Sequence, residues 1–190
     1  MSNTPQAKVK EHYPAYQKFL EEKKTIEHNQ LKVDKRPKST RNNMIGSSPV
    51  IYSALEDWKK FEIEISVEDK RKYKLRIFAN WFCECPCFRF DAAGRAHCNR
   101  DDGSGLPKRR VLTPHFQKFS KEGVEYAYKS VKLLSEFDSN AIVGDYRLGL
   151  EHFCQEANLA CNQTAHPELV INQTEFDLSS DDPLNGVNFS

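Results

Sequence analysis

The chain is 190 residues long and carries 28 Lys and Arg against 27 Asp and Glu, a net charge of +1. That length suffices for one good core and would cramp a second full domain, so we expect one domain. The near balance conceals an asymmetry: basic residues crowd the start and the stretch 95–110, whereas no Lys or Arg follows Arg147.

The first residues are polar and lack the apolar segment of a secretory signal, and no run approaches a membrane span, so we expect a soluble, cytoplasmic protein. Within residues 1–31, Val9, Tyr13, Tyr16, Phe19, Leu20 and Ile26 fall at roughly helical spacing, which predicts one amphipathic helix entered or kinked at Pro14. Residues 32–50 are basic, punctuated by Ser, Asn and Pro, and read as a linker or long surface loop.

A core domain over 51–160 follows. Phe61, Ile63, Ile65 and Val67 alternate with polar residues, and Tyr73, Leu75 and Ile77 repeat that period after a charged turn, which is the pattern of a β-hairpin. Further strands are expected over 85–91, 113–119 and 124–130, giving an antiparallel sheet of about five strands. Tyr146, Leu148, Leu150, Phe153, Cys154 and Ala157 then form the apolar face of a helix that covers it. The expected fold class is α+β, a single domain with an N-terminal and a C-terminal helix. Residues 161–190 are acidic and poor in apolar side chains, the composition of a flexible tail, although Leu169, Val170 and Ile171 could pin part of it as an edge strand.

The chemistry-bearing residues concentrate in 88–129. Arg89, Asp91, Gly94, His97 and Asn99 are followed by Asp102 and Gly103, then Pro114, His115, Gln117 and Phe119. This order resembles a family of small bacterial proteins of unassigned function. It is similar, more distantly, to the TumE-type toxins of toxin-antitoxin pairs, in which an acidic-Gly loop precedes a His-x-His step. The second histidine of that step is Gln117 here, and 104–112 lengthen the preceding loop. The resemblance implies a toxin-like or phage-defence-related protein acting on RNA, with a cognate protein as a partner.

Imidazole can act as base or acid near neutrality, so His97 and His115 are the candidate catalytic pair for metal-independent RNA transesterification. Arg89, Arg95 and Lys129 would offset charge developing on phosphate oxygens, and Asp91 or Asp102 would orient an imidazole. Lys108, Arg109 and Arg110 are candidate nucleic-acid contacts. Each has a structural alternative: the histidines as loop or sheet hydrogen-bonding groups, Asp101-Asp102-Gly103 as a turn, and the basic run as a solvated surface.

Two other classes stand beside the enzyme. Six cysteines in a reducing compartment suggest free thiols or a metal. Cys85, Cys87, Cys98 and His97, with Cys83, are the candidate zinc ligands. Same-face strand positions lie about 6.6 Å apart, however, too far for thiolates on one zinc unless Pro86 bends the chain. A non-catalytic module that binds protein or nucleic acid would also fit a basic arm, a compact core and an acidic tail.

Overall fold

A computed structural model describes residues 5–35, 43–55, 57–101, 103, 105–106 and 109–171. The fold is α+β, but among the described residues its main sheet has ten strands and mixed pairing instead of about five antiparallel ones, and five helices accompany it. The five strands expected from the sequence are all present: β4 (Lys59–Ser66), β5 (Tyr73–Ala79), β6 (Pro86–Asp91), β9 (His115–Phe119) and β10 (Glu125–Tyr128). They lie antiparallel in the order β10-β9-β6-β5-β4.

The remaining strands come from segments read otherwise. The amphipathic N-terminal stretch forms two helices, α1 (Ala7–Glu11) and α2 (Tyr13–Glu21), which break at His12 with Pro14 in the first turn of α2. It then extends into β1 (Lys24–Ile26) and β2 (Gln30–Lys35). The presumed linker contains β3 (Asn43–Ile51), the strand on which the sheet branches. One edge of β3 pairs along its length with β4, while the other pairs with β2 at Met44 and Ile45 and with β1 at Val50 and Ile51. Gly46 sits at the branch, where a Cβ would meet the Lys32 carbonyl oxygen at 2.9 Å, so only glycine admits β2 this closely. In the gap between the two partners, the buried Ser48 hydroxyl accepts the His28 backbone N–H at 3.3 Å.

After β10 the chain forms α3 (Val131–Leu134), α4 (Glu136–Gly144) and α5 (Tyr146–Glu156), of which only α5 was expected. It ends in β11 (Leu159–Cys161) and β12 (Glu168–Ile171), each parallel to its partner, β1 and β2 respectively. Leu169, Val170 and Ile171 thus do lie on an edge strand; the rest of the expected tail beyond residue 171 falls outside the described residues.

The sheet has an apolar and a polar face. Phe153 of α5 packs on the first, its ring centroid 5.8 Å from Phe61, 5.4 Å from Phe88 and 6.3 Å from Phe116. Burying such rings is worth roughly 1.5–3 kcal/mol each, which makes this the main core. On the other face, α2 covers one end. The Tyr16 hydroxyl donates to the Cys87 carbonyl at 2.6 Å and accepts the Phe119 N–H at 3.0 Å, bridging β6 and β9 just where their ladder stops. The other end of this face carries the site.

Candidate functional site

Two rows of side chains cross the polar face, fixed by strand register. Glu64, Lys74, Asp91 and His115 lie opposite one another on β4, β5, β6 and β9. The adjacent row is Glu62, Arg76, Arg89 and Gln117, ending at Ala127 on β10. The alternation that makes Phe61, Ile63 and Ile65 a core face therefore makes Glu62 and Glu64 its reverse. This reverse face is not simply solvated, since Glu62, Glu64, Asp91, His115 and Gln117 are all buried.

Burial of so many polar groups requires pairing. Arg76 contacts Glu62 at 2.7 Å and Glu64 at 2.5 Å, Lys60 reaches Glu62 at 2.7 Å, and the Asn43 amide donates to Glu64 at 2.6 Å. Burial opposes ionisation of Glu64, but Arg76 and Asn43 outweigh it and hold the carboxyl below its ordinary range.

The second half of the network centres on Gln117. Its amide oxygen accepts from Arg89, and its amide nitrogen donates to Asp91 Oδ2 at 2.9 Å and contacts His115 Nε2 at 2.7 Å. With both amide hydrogens so used, His115 Nε2 must act as the acceptor, which places the imidazole proton on Nδ1. Arg89 also reaches Asp91 at 3.4 Å and Glu125 at 3.6 Å. The His115 ring is fully buried, and burial pushes its pKa down to about 4 against the opposing pull of Asp91. His115 is consequently neutral at pH 7.

His97 arrives from a separate two-stranded hairpin, β7 (His97–Cys98) and β8 (Arg110–Val111). Its half-buried ring stands 6.3 Å from that of His115, centroid to centroid, at 70°. Asn99 fastens the hairpin to the edge strand β10, its carboxamide donating to the Ala127 carbonyl at 2.8 Å and accepting the Ala127 N–H at 2.7 Å.

Of the residues singled out in the sequence, Arg89, Asp91, His97 and His115 thus converge. Arg95, Arg109 and Arg110 are exposed around the hairpin, and Lys129 is half-buried just after β10. Asp102 and Lys108 lie outside the described residues; the neighbouring Asp101 carboxylate accepts the Gly103 N–H at 3.2 Å, as a turn there requires. The two histidines are unequal: His115 is fully buried with Nε2 against the Gln117 amide, whereas His97 is half-buried on the hairpin.

The cysteines do not assemble as a zinc set. Cys87 is buried and its thiol donates to the Ile77 carbonyl at 3.2 Å, while Cys98 is exposed on the hairpin. Among the described residues no three His, Cys, Asp or Glu side chains are grouped to hold a metal.

Sequence reasoning missed Glu62, Glu64, Arg76 and Asn43, and it treated Gln117 as a departure from a histidine pattern although it organises the site. The available signal was the opposition of acidic alternate positions on β4 to Lys74 and Arg76 on β5. Among the described residues no helix is long and apolar enough to cross a membrane. The chain matches no protein-family model, no curated protein and no solved structure with which it was compared.

Proposed function

We propose that the protein acts on RNA at the junction of the β7–β8 hairpin and the polar sheet face, as a metal-independent ribonuclease with His97 as its general base. The observation that carries this reading is the meeting of His97 with His115, 6.3 Å apart, above the linked Arg89, Asp91 and Gln117. Exposed Arg95, Arg109 and Arg110 would gather phosphates around the hairpin. His97 would take the proton of a ribose 2′-hydroxyl, whose oxygen then attacks phosphorus. The P–O5′ bond breaks, and the leaving oxygen is protonated by solvent. Arg89 offsets charge on the phosphate oxygens, and neutral His115 positions His97 without exchanging a proton. The motif's resemblance to TumE-type toxins points the same way.

A second reading, a non-catalytic RNA-binding module, is favoured by the engagement of His115 Nε2 by Gln117. Incubation of RNA with the purified protein in excess EDTA separates the two. Cleavage that disappears in His97→Ala while RNA binding persists supports catalysis. Intact RNA with salt-dependent binding supports the module, and neither cleavage nor binding removes RNA as the partner.

A further inference from the structure

At the branched end of the sheet, a cleft of about 580 Å³ opens between the start of α5 and the strands β2 and β12. Arg147 and the buried Leu150 line it from α5, while Asn29, Gln30, Glu168 and Leu169 line it from the strand side. Because α5 packs on the apolar face of the sheet, this cleft lies apart from His97 and His115. Its volume and its blend of apolar floor with a few polar groups are those of a small-molecule site.

The polar lining is only partly satisfied from within. Asn29 Oδ1 is buried, yet among the described residues nothing donates to it. The Arg147 guanidinium lies over the Tyr146 ring, 5.4 Å from its centroid, and among the described residues no carboxylate pairs with it. The Glu168 carboxylate accepts from the Gln30 amide at 2.9 Å and is likewise without a cation there. Thr164 and His166, also in the lining, are turned to the backbone instead: the Thr164 hydroxyl donates to the His166 carbonyl at 2.8 Å, and His166 Nδ1 lies 3.2 Å from the Pro167 carbonyl.

We propose that this cleft binds a free α-amino acid with an aliphatic side chain, its carboxylate on Arg147, its ammonium on Glu168 and Asn29 Oδ1, and its side chain on Leu150 and Leu169. Charge decides the class. A simple anion gains Arg147 but meets the Glu168 carboxylate, a simple cation gains Glu168 but meets the guanidinium, and an uncharged apolar molecule covers both charges while pairing neither. A zwitterion answers both and brings a donor to the buried amide oxygen. The leucine floor then favours an aliphatic side chain over a polar one.

Isothermal titration of the full chain with L-leucine tests the assignment, beside two analogues that each lack one charge: 4-methylpentanoate has no ammonium and leucinamide no carboxylate. We expect leucine to bind at millimolar concentration or below and each analogue to bind at least about tenfold more weakly, the loss of one charge-assisted contact. Arg147→Gln should shrink the preference over leucinamide and leave that over 4-methylpentanoate, and Glu168→Gln should do the reverse. Both side chains are exposed, so the variants should keep the parent's circular dichroism and melting temperature. No heat of binding up to about 10 mM leucine, equal binding of the three compounds, or preferences that either variant leaves unchanged would each overturn the assignment.

Discussion

The Asn99 carboxamide pairs with both backbone groups of Ala127, donating to its carbonyl and accepting its N–H, and so occupies the place a further strand would take beside β10. A single side chain thereby satisfies an edge and sets the position of the hairpin that carries His97. Replacing it leaves two backbone groups to compete for water in a buried position, at about 1–3 kcal/mol. Asn99→Ala should lower stability by that amount and accelerate amide hydrogen exchange across β7 and β8 more than in β4 or β5. Uniform acceleration would show that Asn99 supports the whole sheet and not the hairpin.

Gln117 serves three buried partners at once, Arg89, Asp91 and His115. Leucine fits the same space but offers neither donor nor acceptor, so Gln117→Leu should destabilise the fold by at least about 2 kcal/mol, the cost of stranding more than one buried polar group. Urea denaturation measures this directly. A loss under about 0.5 kcal/mol, the range of unexceptional surface changes, would mean that the network is solvated and that its members find water instead.

The contrast between the two sheet faces explains what could be read from the sequence. β4 and β5 were legible because each alternates apolar and polar residues over several positions, a period that no helix shares, and β6, β9 and β10 because turn residues at 92–94 and 120–123 bound them. β1 and β11 span only three residues each, too few for a period. β3 contains Gly46 and Pro49, which suit a branch point but mimic a loop. Alternation also carries a tacit assumption that the polar half faces water, and here it failed: Glu62 and Glu64 look like solvated residues until the register sets Arg76 against both. The site was visible as a concentration of Arg, Asp and His, but not the inequality of its histidines, which depends on which atom Gln117 contacts across the chain.

Acid should weaken the fold before most carboxylates titrate. His115 and His152 are both buried, and burial lowers each to about 4. His152 Nε2 lies 2.7 Å from the Ser130 hydroxyl, which also caps α3 by accepting the Leu133 N–H. In the unfolded chain both imidazoles return to about 6.5. Between those values the unfolded state binds protons that the folded state refuses, so the stabilisation is complete above pH ~6.5 and is lost as pH falls toward about 4. Thermal melting between pH 7.5 and 5 should show a declining Tm, with a shallower decline in His152→Gln. A flat profile would mean that the native state admits the protons, through water reaching one or both rings.

Gly149 leaves room on α5 for the Tyr73 side chain of the sheet. A Cβ on Gly149 would fall 1.8 Å from the Tyr73 hydroxyl oxygen and 2.5 Å from the ring carbon that bears it. That hydroxyl cannot easily retreat, because it donates to the Ile142 carbonyl in α4 at 2.5 Å and the residue is buried. Gly149→Ala would ordinarily favour a helix by about 1 kcal/mol. Here overpacking of roughly 1–3 kcal/mol or more should exceed that gain and leave a net loss. Tyr73→Phe removes the nearest atom but leaves the ring, so it should relieve part of the loss while sacrificing the bond to Ile142. The double variant should therefore be more stable than the sum of the two single losses requires, a coupling readable from a double-mutant cycle in urea. Strict additivity would show that α5 shifts as a body to accept the methyl group, with the Tyr73 hydroxyl no longer in its way.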